Sequence, residues 1–174
     1  MFTLSQPTDL ELLALIEKNK DAPFSYSLLD GYRMDSNRIR LGEGRAVFER
    51  ALRALRSWRM FDLGWVRIFP SDAEIRPGVV VAVVVSHFGF WSVNLARIVS
   101  AEDPGSFTYG TLGEHAASGE ERFTVRHDVR DDSVWYEIQA FSRPNHWLAK
   151  AGYPLARMLQ KRFARDSMAA MRRC

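Results

Sequence analysis

The sequence predicts an α+β fold: a seven-stranded antiparallel sheet that grips a long C-terminal helix, with an additional N-terminal helix. Three observations predict it. Six segments with a strand-like pattern follow one another between residues 63 and 143, and their connections are too short for parallel crossovers. Residues 154–173 and a shorter segment before the strands are apolar on one side at helical spacing. Because one face of the sheet must be buried, these helices are the elements available to cover it.

The first half of the chain begins with a capped helix. Thr8 and Glu11 have the spacing of a capping box, so a helix is predicted over residues 9–19. A strand is predicted over residues 32–41. Over residues 42–58 apolar side chains recur at helical spacing while arginines fill the opposite side, which predicts an amphipathic helix of about four turns.

The pattern of the second half of the chain predicts strands followed by one helix. The predicted strands are bounded by turn residues and cover 63–69, 79–88, 91–100, 106–112, 122–129 and 133–143. A helix is then predicted over residues 145–173. We expect Leu155, Leu159 and Phe163 to face the sheet, because they share one side of this helix while basic residues occupy the other.

Size and charge exclude several classes of protein. The 174 residues, with 47% hydrophobic and 26% charged content, predict one domain over 1–174, with 1–23 as a helical extension and 24–174 as the core. The longest apolar run, residues 79–85, is far below the roughly 20 residues of a membrane span. A net charge of +3 does not indicate nucleic-acid binding, and we interpret the basic side of the last helix as a solvated face.

Neither a metal nor a cofactor is predicted. The four histidines share no short metal-binding spacing, and Cys174 is the one cysteine of the chain, so no internal disulfide can form. A reduced thiol is typical of a cytoplasmic protein, which is the predicted location. The sequence Gly42-Glu43-Gly44 lacks the third glycine of a dinucleotide loop, because Val47 stands there. A weak anion site at the start of that helix stays open as an alternative.

The candidate ligand-binding residues come from the strands and the last helix. If alternate positions of four strands face the helix, they form an aromatic interior that also carries polar groups. The predicted set is Trp91, Arg97, Tyr109, His127, Tyr136, Leu159 and Phe163.

A buried Arg97 needs a partner, because an unpaired buried charge is costly. We expect that partner to be a carboxylate, with Asp166 as the first choice, and otherwise a ligand anion.

For His127 the alternative to a functional role is a histidine near the sheet edge whose ring is already hydrogen-bonded within the protein. Glu120 and Glu121 are adjacent in a strand, so they point to opposite faces and cannot act on one atom; we interpret them as capping or ion-pairing residues.

Several stretches resemble one family over about residues 24–173. They lie at 41–44 with Phe48, 58–61, 91–98, 109–112 with His115, 119–123, 134–138, 141–144 and 162–167. Together they resemble the bacterial and plant family known as domain of unknown function nineteen-ninety, related to the C-terminal part of YndJ-type proteins. The resemblance implies no established activity, cofactor or catalytic residue. The order of the elements separately resembles the helix-grip fold of START-type and plant pathogenesis-related lipid-binding proteins, which does not fix a function.

The sequence therefore leaves three hypotheses. The first is a soluble module that binds a small hydrophobic or amphipathic ligand, with an anionic end if Arg97 anchors it, between the sheet and the last helix. The second is an enzyme of the cyclase or hydratase kind that uses the same pocket, with His127 or Tyr109 as the acid–base group. The third is a structural or partner-binding protein whose interior is filled.

Overall fold

An antiparallel sheet curls through the centre of the protein, as the strand patterns predict. The computed structural model describes residues 2–27, 33–87, 89–101, 103–113, 117–144 and 153–174. The strands in these ranges are β1 (Phe2–Thr3), β2 (Arg33–Glu43), β3 (Val66–Phe69), β4 (Val80–His87), β5 (Phe90–Ser100), β6 (Ser106–Thr111), β7 (Ala117–Asp128) and β8 (Ser133–Pro144). Seven of them lie in the spatial order β2-β8-β7-β6-β5-β4-β3, and the short β1 pairs with β5.

The described helices are α1 (Asp9–Asn19), α2 (Arg45–Arg56), a 3-10 helix (Arg59–Phe61) and α3 (Tyr153–Arg172). The predicted capping box of α1 is confirmed. The backbone N–H of Thr8 donates to the Glu11 carboxylate at 2.8 Å, and the backbone N–H of Glu11 donates to Thr8 Oγ1 at 3.3 Å. Helix α2 is shorter than predicted, because the left-handed backbone of Trp58 ends the helical run and starts the 3-10 helix.

One face of the sheet, the inner face, packs against α2, the 3-10 helix and α3. The prediction that the C-terminal helix lies against the sheet is confirmed by this packing. Fully buried side chains from both layers pack together between the sheet and the helices, including Leu55, Met60, Phe61, Phe107, Phe123, Tyr136 and Met171. Burying one large apolar side chain stabilises the fold by about 1.5 to 3 kcal/mol, so this layer is the main source of folding free energy.

The opposite face of the sheet, the outer face, is also covered. Helix α1 lies on β4 and β5, and its Leu12 is fully buried in a second apolar cluster. The segment that follows α1, residues 22–27, continues across the outer face and is called the strap below. Its Ser25 backbone N–H donates to the carbonyl of Thr111 at 2.9 Å, and Ser118 Oγ donates to the Ser25 carbonyl at 3.0 Å. The sheet is therefore covered on both sides.

The strap packs closely because β6 carries a glycine at its crossing point. A Cβ added at Gly110 would lie 2.1 Å from the hydroxyl oxygen of Tyr26 and 3.0 Å from the ring of Phe24. The two aromatic rings contact each other at a centroid distance of 5.3 Å. Glycine is therefore required at position 110 by the close approach of the strap, since real Cβ atoms do not tolerate such short contacts.

The orientation predicted for β5 is wrong. Val93, Leu95 and Trp91 pack in the outer cluster with α1, whereas Ala96 and Ile98 belong to the inner core. Two causes explain the error. Both faces of β5 are buried, so hydrophobicity alone does not distinguish them, and the pairing register with β6 shifts between Ile98 and Ser100.

Two further boundaries differ from the predictions. Strand β7 begins at Ala117, five residues before the predicted start, because Ser118 to Glu121 pair with β8 in register. Strand β3 is confined to Val66–Phe69. The predicted helix over residues 145–152 lies outside the described residues, as does the side chain of Leu155.

Candidate functional site

Aromatic side chains from the sheet and the helices meet on the inner face and form what is called the aromatic cluster below. It consists of Phe61, Tyr109, Phe123 and Phe163. Ring centroids are 5.6 Å apart for Tyr109 and Phe123, 5.2 Å for Phe61 and Phe163, and 6.5 Å for Phe123 and Phe163. These are favourable aromatic distances, so the cluster links β6, β7, the 3-10 helix and α3.

A carboxyl group lies against this cluster. Glu121 of β7 is directly opposite Tyr109 of β6, whose hydroxyl donates to Glu121 Oε2 at 2.6 Å. Burial raises the pKa of Glu121 to about 7, although the hydrogen bond from Tyr109 acts in the opposite direction. Burial and the neighbouring carboxyl also raise the pKa of Tyr109 well above its usual value. The pair is thus a carboxyl that changes its charge near neutral pH beside a phenol that stays protonated.

A second polar contact lies deeper under α3. The hydroxyls of Tyr136 on β8 and Ser167 on α3 are 2.9 Å apart, and both residues are fully buried. Burial raises the pKa of Tyr136 well above its usual value, so the phenol is neutral. Each hydroxyl satisfies the other, which fixes the position of α3 over the sheet.

Helix α3 is also held near its middle by Trp65. Its indole Nε1–H donates to Asp166 Oδ2 at 3.0 Å, and the Arg162 guanidinium lies 4.3 Å from the indole ring centroid. Arg165 Nε donates to the other oxygen of Asp166 at 3.0 Å. Asp166 is thus occupied by its own helix and by Trp65, and the predicted pair between Arg97 and Asp166 does not form.

Four of the seven predicted site residues lie on the elements that enclose the aromatic cluster. Tyr109 and Phe163 are members of it, and Tyr136 lies beneath α3. Leu159 stands one turn before Phe163 on α3 and is half-buried. Their ligand-binding role stays a prediction, but the common location agrees with the predicted alternation of β6 and β8.

Trp91 and Arg97 lie on the outer face, which corrects their predicted placement under the C-terminal helix. Arg97 Nη2 donates to the backbone carbonyl of Ala22 at 2.8 Å and also to that of Lys20. Its guanidinium lies 5.3 Å from the Phe24 ring centroid. A cation at the C-terminal end of α1 satisfies carbonyls that the helix leaves without partners, so Arg97 holds α1 and the strap.

His127 lies on the inner face but under α2, apart from the aromatic cluster. Its ring is 5.6 Å from the Phe48 ring centroid, and Nε2 is 2.6 Å from Asp132 Oδ1. An open cleft of about 350 Å³ adjoins it, lined by Arg45, Phe48, Glu49, Leu52 and His127. This placement agrees with the alternative of a satisfied histidine and separates His127 from the Tyr109–Glu121 pair.

Glu121 is the site residue that the sequence prediction did not select. The expectation that Glu120 and Glu121 point to opposite faces is confirmed, because Glu120 Oε1 accepts from Tyr26 on the outer face at 2.7 Å. The capping or ion-pairing role proposed for Glu121 is wrong: its carboxyl accepts from a phenol. Glu121 is identified by its direct pairing with Tyr109, which requires β7 to begin before the predicted start at Arg122.

Clustered metal ligands and membrane-spanning helices are both absent from the described ranges. They contain no group of three or more His, Cys, Asp or Glu side chains placed to hold a metal ion. None of the helices in these ranges combines the length and the apolar character that a bilayer crossing demands. His115 and His146 lie outside the described residues.

The sheet, the helix gripped by it and the covered inner face form a START/Bet v1-like fold. Among solved structures, protein Ms6760 from Mycobacterium smegmatis matches with a TM-score of 0.58 and 13% sequence identity, over 80% of this chain and 88% of that one. Ara h 8.0201 matches with a TM-score of 0.51 and 11% identity, over 81% and 98%. At such identities the likeness concerns the fold alone.

The chain belongs to the family described as domain of unknown function DUF1990, which it matches over residues 18–170. A UPF0548 protein of Dictyostelium discoideum is 34% identical over a 200-residue alignment that covers 96% of this chain and 92% of that protein. A UPF0548 protein of Arabidopsis thaliana is 33% identical over 151 residues, covering 82% and 73%. The family resemblance predicted from the sequence is confirmed.

Proposed function

We propose that the protein binds a small amphipathic molecule between the inner face of the sheet and α3, with the apolar body of the ligand on the aromatic cluster. The observation that carries this proposal is the Tyr109–Glu121 pair, a polar contact at an aromatic surface. No basic side chain among the described residues neutralises its carboxyl. Holding such a group in apolar surroundings lowers folding stability, and a ligand that binds to it offsets part of that loss.

The environment of the pair supports a ligand with two different ends. Phe163 is half-buried and packs on the fully buried Phe123, so its ring is suited to an aliphatic or aromatic body, while Glu121 offers a hydrogen-bond acceptor. The residue Glu121 is half-buried, and the partial removal of its carboxyl from water raises its pKa. A ligand would cover the accessible surface that remains beside the Glu121 carboxyl. The fold shared with START/Bet v1-like proteins supports the same placement.

The proposal is tested with decanol as a neutral amphipathic probe and isothermal titration calorimetry as the measurement. We expect decanol to bind and Phe163→Trp to weaken that binding at least about tenfold, because the larger ring occupies the proposed space. Met158→Trp is the matched control, since Met158 lies on the same helix but is 49% exposed. Native mass spectrometry of the protein from its own host adds a second measurement, in which a retained ligand appears as extra mass. No binding and no retained mass would favour a filled interior.

A second candidate is an enzyme of the cyclase or hydratase kind that uses the same site. The observation that favours it is a carboxyl with a pKa of about 7 hydrogen-bonded to a phenol, an arrangement suited to acid–base catalysis. The structure favours Tyr109 over His127 for this role, because His127 lies in a separate cleft. A ligand recovered from the protein with its mass changed by one water after incubation would support an enzyme, whereas an unchanged ligand supports binding alone.

A further inference from the structure

Two acidic residues lie in one row across the inner face, and they differ in how they are neutralised. Asp35 of β2 pairs with Ala140 of β8, and Ala140 pairs with Glu121 of β7. Glu121 pairs in turn with Tyr109 of β6. Asp35 forms an ion pair with Arg157 of α3. Glu121, in the same row, has only the Tyr109 hydroxyl as a partner among the described residues. Among the described residues, one acid therefore has a cation as its partner and the other has none.

The surroundings of Glu121 suit a positive charge. The face of an aromatic ring carries negative electrostatic potential, and the Tyr109 ring, which packs against Phe123 in the aromatic cluster, carries the hydroxyl that donates to the Glu121 carboxyl. A cation over such a ring is attracted by it, and a carboxylate beside the cation adds a charge-assisted hydrogen bond. An anionic ligand would be repelled by the ionised carboxylate. Arg97, the residue that was expected to anchor an anion, lies on the outer face and holds α1 instead.

We infer that the ligand is an amphipathic amine, whose ammonium group contacts Glu121 and the ring of Tyr109 while its apolar body lies along Phe163. This inference rests on the proposed function and specifies the polar end of the ligand. A protonated amine supplies to Glu121 the counter-charge that no described residue supplies to it. An alcohol of the same length fills the same space but leaves the carboxylate without a cation.

The groups that face Glu121 give the inference a pH dependence. Tyr109 from β6 and Tyr136 from β8 are the titratable residues that act on it, and both are neutral phenols. The charged residues of the described helices packed above the inner face are exposed or paired elsewhere: Arg45, Glu49, Arg50, Arg53 and Arg56 of α2, Arg59 of the 3-10 helix, and Arg157, Lys161, Arg162, Arg165, Asp166 and Arg172 of α3. Below about pH 7 an ammonium ligand must displace the proton of Glu121 before it can pair, so its affinity falls with decreasing pH.

The experiment compares decylamine, decanol and decanoate by calorimetry with the intact chain at pH 8. We expect decylamine to bind at least about tenfold more tightly than either of the others. Glu121→Gln should remove this preference, so that decylamine binds no more tightly than decanol. The matched control is Glu120→Gln, since Glu120 also accepts a tyrosine hydroxyl but on the outer face. It should retain the preference for the amine.

The pH profile and a second variant provide an independent measurement. From pH 8 to pH 6 the affinity for decylamine should fall about tenfold, and that for decanol should not change. Tyr109→Phe keeps the ring but removes the hydrogen bond that lowers the pKa of Glu121. The midpoint of the decylamine profile should therefore move to higher pH in this variant. This readout remains available if Glu121→Gln fails to fold.

The outcomes separate the two proposals. If decanol binds but decylamine is not preferred, or if Glu121→Gln keeps the preference, the amine inference is overturned and the proposed binding function stands. If decanoate is preferred, the polar end is anionic and the inference is likewise overturned. If none of the three probes binds to the unmodified protein, the proposed function itself fails, and the amine inference fails with it.

Discussion

At the scale of single residues, Glu121 and Glu120 are neighbours in sequence with opposite environments. Each accepts a hydrogen bond from a tyrosine, but one points inward to the aromatic cluster and the other outward to the strap. Alternation along β7 thus creates two chemically similar contacts on the two sides of one sheet. A change made in one glutamate can therefore be compared directly with the same change in the other.

Glu121 should make the ligand-free protein less stable as the pH rises. Its pKa is about 7 in the folded chain and 4.5 in the absence of burial, so the folded state holds its proton longer. Stability should therefore fall between about pH 4.5 and pH 7, by up to about 3 kcal/mol in total. Urea unfolding of Glu121→Gln over this range should lack that decline. Glu120→Gln should keep it, and a profile of equal slope in all three proteins would contradict the assigned burial of Glu121.

The contact between Tyr136 and Ser167 should be strongly coupled. Tyr136→Phe and Ser167→Ala each leave one buried hydroxyl without a partner, so each should lower the free energy of unfolding by about 1 to 3 kcal/mol. The double variant should cost less than the sum of the two, because it removes both hydroxyls together. Chemical denaturation of the four proteins measures the coupling. Strict additivity would mean that the two hydroxyls do not interact.

At the scale of secondary-structure elements, Arg97 connects β5 to the end of α1. Arg97→Met keeps the length of the side chain but removes its donors to the carbonyls of Lys20 and Ala22. We expect a loss of about 1.5 to 3 kcal/mol in the stability of α1 and the strap, since these are hydrogen bonds from a charged group. Hydrogen exchange should speed up over residues 9–27, with decanol binding unchanged. Lost decanol binding with unchanged exchange would restore Arg97 as a ligand anchor.

Helix α1 should contribute to stability through one face only. Leu12→Ala should destabilise the protein by about 2 to 5 kcal/mol, because Leu12 is fully buried against the outer face. Leu13→Ala is the control, because Leu13 is 50% exposed and should cost less than about 0.5 kcal/mol. Thermal or urea unfolding gives both values. Equal effects of the two substitutions would mean that α1 is not docked as described.

At the scale of the whole molecule, the element order and the sheet were predictable from the sequence. The alternation of β6, β7 and β8 and the apolar side of α2 are strong local signals, and both correspond to the inner core. The side toward which β5 points was not predictable, because Leu95 and Ile98 are both buried on opposite faces. An amphipathic pattern vanishes when helices cover both sides of a strand.

The candidate site was predictable only in part, because strand pairing and strand orientation decide which residues meet there. Tyr109, Tyr136 and Phe163 follow from periodicity, whereas Glu121 becomes visible only once the register of β6 and β7 is known. Arg97 was assigned inward because it shares a strand face with Trp91, Val93, Leu95 and Val99, but that apolar face packs against α1. Backbone carbonyls at the end of α1 satisfy its guanidinium there. The division into an extension over 1–23 and a core over 24–174 stays a prediction.

The close approach of the strap to Gly110 links two distant positions in the evolution of the family. A side chain at position 110 and a tyrosine at position 26 cannot occupy the same space, since the added Cβ would lie 2.1 Å from the Tyr26 hydroxyl. Relatives with a residue larger than glycine at position 110 should therefore lack the tyrosine at position 26 or have a strap that follows a different path. Gly110→Ala should lower the melting temperature, and Tyr26→Phe in the same chain should restore part of the loss. The two substitutions then behave as a compensating pair, and an aligned set of relatives in which the positions vary independently would contradict that covariation.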